Sequence, residues 1–90
     1  MHSATFRVNF HVQGGLAGFA RLVVRLAFAP TTDMEYEHGA WREPRRASSV
    51  SFDLQESTFL VLLGADELES KDRVQAHADM YQAHGWEVTA

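Results

Sequence analysis

The sequence predicts an α+β fold: a four- to five-stranded, mostly antiparallel sheet with one long C-terminal helix packed on one face. Three observations carry that expectation. Residues 4–13 alternate, with Phe6, Val8, Phe10 and Val12 facing one way and Arg7, Asn9, His11 and Gln13 the other, the period of a half-buried strand. Phe59 to Leu63 is a continuous apolar run of strand length. Helical spacing follows that run, and Gly85 stands where a left-handed glycine ends a helix. The 90 residues make a single domain, 1–90. A domain of that size buries only about 60–65% of the surface its unfolded chain exposes, which suits one helix layer on one sheet.

After the first strand, Gly14, Gly15 and Gly18 punctuate the chain, and Phe19 to Phe28 fits two templates. As a strand it places Ala20, Leu22, Val24, Leu26 and Phe28 on one face, opposite Arg21 and Arg25. As a helix over residues 16–29 it gathers Leu16, Phe19, Ala20, Val23 and Ala27, and the fold becomes ferredoxin-like. The strand is the favoured reading: glycines crowd the start, no Ser, Thr, Asp or Asn stands there as a cap, and Gly-Gly after an alternating strand suits a hairpin. Pro30 ends this element. Residues 31–48 read as an irregular connection with a short edge strand around Met34 to His38. Ser49 to Gln55 alternates again, with Val50, Phe52 and Leu54 inward. The run at 59–63 is apolar on both faces, as in a central strand covered on each side. Gly64 is expected to stop it, with Asp66 as helix N-cap, Glu69 as its capping-box partner, and the helix running to about His84. Trp86 to Thr89 closes the chain as a strand. One sheet face, bearing Arg7, Asn9, His11, Arg21, Arg25, Ser51 and Asp53, is left without a cover from within the chain.

With 46% hydrophobic and 22% charged residues, the composition is that of a globular protein. The absence of cysteine excludes disulfides and thiolate metal sites, and no signal peptide or membrane-length apolar run is visible, so a cytoplasmic location is expected. The net charge of −4 argues against nucleic acid, which calls for a basic domain or patch. Charge is also unevenly distributed: residues 1–46 carry six Arg against four acids, and residues 47–90 carry Lys71 and Arg73 against eight. Such asymmetry can steer a charged partner.

No motif specifies a chemistry. His77 and His84 lie about 10.5 Å apart along a helix axis, too far to share one ion. Asp33, Glu35, Glu37 and His38 match no calcium-loop spacing and read as an acidic edge strand. GGLAG at 14–18 fits neither phosphate-loop pattern. No serine has a nucleophile-elbow setting, and His11 with Asp53 makes an acid/base pair only if their strands are adjacent. Arg42, Arg45 and Arg46 beside Trp41 are residue types typical of interface anchors. The expectation is therefore a small non-enzymatic module that binds a protein partner, of inhibitor, immunity, anti-defence or adaptor type, with neither cofactor nor metal. Its contact residues would be Arg21, Arg25, Trp41, Arg42, Arg45 and Arg46. The alternatives are a ferredoxin-like homodimer joined through its exposed sheet face, with a ligand-binding or enzymatic pocket built from His11, Asp53 and His38, and a weak nucleic-acid binder.

Overall fold

The computed structural model describes residues 1–90. Five strands form the main sheet in the order β5-β6-β1-β2-β7. β1 (His2–Val12) and β2 (Gly15–Leu26) make the hairpin expected from the glycines. Gln13 and Gly14 both have positive φ, 52° and 80°, as a type I′ turn requires. Residues 15–26 are thus a strand, and the helical, ferredoxin-like alternative does not form. β5 (Ser49–Asp53) pairs antiparallel with β6 (Thr58–Leu68), β6 runs parallel to β1, and β7 (Glu87–Thr89) pairs antiparallel with β2. Between β2 and β5 the chain forms a separate ribbon, β3 (Glu35–Tyr36) with β4 (Arg45–Arg46). The short strand expected near Met34 therefore pairs with β4 and not with the edge of the main sheet.

The core lies on one face of the sheet. Ala4, Phe6, Val8 and Phe10 of β1, Ala20 of β2, and Val61 and Leu63 of β6 are buried there under Ala78, Tyr81 and Trp86. Tyr36 lays its ring edge-on against Phe6 at 5.1 Å, so the β3–β4 ribbon extends the cover. The helix is shorter than its sequence pattern implies. A 3-10 turn at Lys71–Arg73 leads into α1 (Val74–Ala83), and Ser70 precedes it in extended conformation with no side-chain cap. The C-terminus is as expected: Gly85 has φ +90°, its N–H donates to the Gln82 carbonyl at 3.1 Å, and that of Trp86 donates to Tyr81 at 3.1 Å. These are the two bonds of a Schellman motif, with Trp86 packed on Tyr81 as its apolar contact.

Two expectations for β6 are corrected. Its outward residues Leu60 and Leu62 are 37% and 39% exposed, so the strand is covered on one face only. Nor does it stop at Gly64. Arg7 of β1 is level with Leu62, but Asn9 is level with Ala65, which leaves Leu63 and Gly64 opposite Val8 alone. This is a β-bulge, with Gly64 at φ +83°. The extra residue reverses the alternation. Counted from Leu60 and Leu62, residue 66 would face outward; past the bulge, Asp66 lies level with buried Phe10 and faces the helix. Its carboxylate is therefore drawn into the core-side structure and is not available to cap the helix. A Cβ on residue 64 would meet nothing within 4 Å, so the demand for glycine comes from the backbone. Gly64→Ala is expected to lower unfolding stability by about 1–2 kcal/mol in urea titrations, with the fold retained.

Candidate functional site

The bulge brings Asp66 to the point where four segments meet. Arg45 of β4 places a guanidinium nitrogen 2.7 Å from Asp66 Oδ1. On the other oxygen, the Nε2–H of His77 donates at 2.6 Å and the Tyr81 hydroxyl at 3.0 Å. Tyr81 Oη in turn accepts the Trp41 indole N–H at 2.9 Å, and Arg45 stands over the Trp41 ring at 5.0 Å. Sheet, helix, ribbon and the 37–44 loop are tied together by one carboxylate whose side chain is only 13% exposed. A cavity of about 450 Å³ opens beside it, lined in part by Trp41, Arg42, Arg45, His77, Met80 and Tyr81.

Chemically this cluster is closed on itself. Asp66 accepts from three donors, and His77 is held by Nε2, which leaves Nδ1 as its unshared nitrogen. No serine, threonine or lysine lines the cavity to act as a nucleophile. No three His, Asp or Glu side chains converge as metal ligands anywhere in the chain. Burial and the neighbouring Asp66 charge raise the Tyr81 pKa to about 12, so the hydroxyl keeps the proton it donates.

A second cluster surrounds His38. Its Nδ1 accepts the Ala40 N–H at 3.0 Å, and the Trp86 indole N–H approaches both ring nitrogens, at 3.2 Å from Nε2 and 3.4 Å from Nδ1. The ring also faces Trp41 and His84 at centroid distances of 5.8 and 6.2 Å. The Ala40 donor suits a neutral imidazole with its proton on Nε2, and both donors oppose an imidazolium. Burial, then the nearby His84, lowers the His38 pKa.

The residues proposed from sequence fall on opposite faces. Arg21 and Arg25 lie on the open face, where Arg21 binds Glu87 at 3.1 Å. Trp41, Arg42, Arg45 and Arg46 lie on the core side. Trp41 is no exposed anchor: it is half-buried against Trp86, with its N–H committed to Tyr81. Arg45 is held by Asp66, while Arg42 and Arg46 are exposed. Nor are His11, Asp53 and His38 brought together. β6 separates β1 from β5, His11 approaches Glu67 at 3.4 Å, and Asp53 accepts the backbone N–H groups of Gln55 and Glu56 in its own turn. Sequence reasoning missed the role of Asp66, and the available signal was a glycine inside a strand pattern, a mark of a bulge.

The open face is as expected and more apolar than expected. Arg7, Asn9, His11, Arg21, Arg25, Ser51 and Asp53 share it with Phe19, Val23, Leu60 and Leu62. Val23 is 57% exposed. Arg7 and Arg21 stand directly opposite each other on neighbouring strands, a like-charge pairing that costs stability. Arg7 leans over the Phe19 ring at 3.8 Å, and Arg25 makes no ion pair.

Two predictions follow from the titratable clusters. In Tyr36→Phe, which leaves Tyr81 as the single tyrosine, the phenolate absorbance should appear only near pH 12; a midpoint near 10 would contradict the network. For His38 the folded-state pKa lies below the ordinary 6.5, so the unfolded chain takes up the proton first. The stabilising contribution is complete above pH 6.5 and is lost as pH falls through the folded value. Melting temperature should decline on acidification in this window, and His38→Asn should flatten that part of the profile.

Compared with known proteins, the chain matches no family model, no curated protein and no solved structure.

Proposed function

We propose that the chain is a small, non-enzymatic, cytoplasmic protein-binding module of inhibitor, immunity, anti-defence or adaptor type, which uses the open face of its sheet to occlude a partner. The observation that supports this most is the face itself. A single helix covers one side of the sheet, and nothing in the chain covers Leu60 and Leu62 of β6 or Val23 of β2 on the other, where Thr5 and Arg7 of β1 stand between them. Exposed apolar residues interleaved with arginines are the composition of a contact surface.

The charges narrow the partner. Arg7, Arg21 and Arg25 lie around Val23 on β1 and β2, whereas Asp53, Glu67 and Glu87 stand toward the periphery. Glu87 meets Arg21, whereas Arg7 and Arg25 make no ion pair and are the groups that a carboxylate from outside would satisfy. The fitting occupant is a protein surface with an apolar centre and acidic groups around it. Within this reading the Asp66 network acts as scaffold, and Arg21 and Arg25 are the contact residues retained from the sequence.

The test starts by capturing macromolecules from host lysate and then measures binding with the purified partner. Arg25→Glu combined with Leu60→Asp should weaken binding at least about 10-fold with the fold retained, since both side chains lie on the open face and outside the core. Unchanged affinity in that variant would overturn the assignment. So would retention of nucleic acid alone, or association of the chain only with itself through this face.

A further inference from the structure

β2 is longer than its outer neighbour. β7 pairs only with Phe19 to Arg21, so residues 22–26, the run Leu-Val-Val-Arg-Leu, have β1 on one side and no strand on the other. An unpaired edge of five residues presents backbone donors and acceptors that a further strand can satisfy. The helix-side residues of this edge, Leu22, Val24 and Leu26, also line an apolar crevice of about 180 Å³ with Phe6, Tyr36 and Trp86.

We propose that this edge binds a second copy of the chain, β2 against β2, in antiparallel register about a two-fold axis at Val24. Three features select a second copy over a foreign peptide. The free segment is symmetric in length about Val24, so Leu22 meets Leu26 of the other copy and both copies pair fully. Charges are compatible: Arg25 falls opposite Val23 of the other copy, never opposite another arginine, as it would in a register centred on residue 25. The ends fit as well. The strand stops at Leu26 and bends at Ala27–Phe28, so the incoming copy leaves the line of the sheet where β7 begins. Leu22, Val24 and Leu26 of the two copies then meet on the helix side and join the two crevices, while Val23 and Arg25 meet on the open face. The result is a continuous ten-stranded sheet, in which the Val23–Arg25 pairs occupy the β2 border of the open face and leave Leu60 and Leu62 free.

Five residue pairs make an interface smaller than the ~1,200 Å² of stable complexes, so association is weak and is read by sedimentation equilibrium up to about 1 mM protein. Val23 is exposed on the open face, and substitution there leaves the core intact. Val23→Glu sets two Glu–Arg25 pairs across the two-fold and should tighten the dimer roughly 3- to 30-fold. Val23→Lys sets two like-charge pairs and should loosen it by a similar factor, and Val23→Lys with Arg25→Glu should restore it. A mass that stays monomeric across the range overturns the proposal. So does equal weakening by Val23→Glu and Val23→Lys, which would assign self-association to the open apolar face. Leu60→Asp alone, on β6 and two strands away from this edge, should weaken partner binding and leave the dimer unchanged, which separates the two readings.

Discussion

The carboxylate of Asp66 is the joint on which the rest of the structure depends. A charged group withdrawn from water must be met by donors, and two segments supply three of them: Arg45 from the ribbon, and His77 and Tyr81 from the helix. Tyr81 passes the constraint on to Trp41, and Trp41 to Trp86. The loop between β2 and β5, which has no long strand or helix of its own, is held over the core by this chain of contacts. The geometry begins at Gly64, where one extra residue turns Asp66 from the solvent face to the helix face. A backbone irregularity in one strand thereby decides where a loop and a helix sit.

Local rules accounted for much of the fold. The alternation of residues 4–13 and the glycines after it announced the hairpin, the lack of a cap before Phe19 favoured strand over helix, and Gly85 marked the helix end. These features are legible because each is settled by neighbours in the chain. The start of the helix is different. Gly64, Asp66 and Glu69 satisfy the pattern of a strand end and capping box, and they equally satisfy a bulged strand. What separates the two is the presence of Arg45, His77 and Tyr81 around the carboxylate, and no local spacing reports that. The same limit applies to Trp41, whose polar surroundings suggest exposure while Tyr81 and Trp86 draw it in. Arg21 and Arg25 were correctly placed on an uncovered face because strand alternation alone determines it.

The molecule thus divides its interactions unevenly between its two sides. The helix side spends its aromatic and charged groups on one another: Phe10, Trp41, His77, Tyr81 and Trp86 form a connected set of ring contacts, and every buried side-chain polar atom has a partner. The opposite side carries exposed leucines and valine beside arginines that oppose each other. A small domain has little stability to spare. Concentrating satisfied interactions on one side lets the other keep unfavourable ones.

The place of β1 has a consequence for the order of assembly. It is the middle strand, paired on one side with β2 next in sequence and on the other with β6, where the Ser3–Thr58 hydrogen bond spans 55 residues. The hairpin can close as soon as its two strands leave the ribosome, but the other edge of β1 has no partner until β6 is made. A nascent chain therefore carries an apolar strand with one edge unpaired from the closing of the hairpin until β6 emerges, and the rate at which that gap closes is set by loop entropy more than by contact strength.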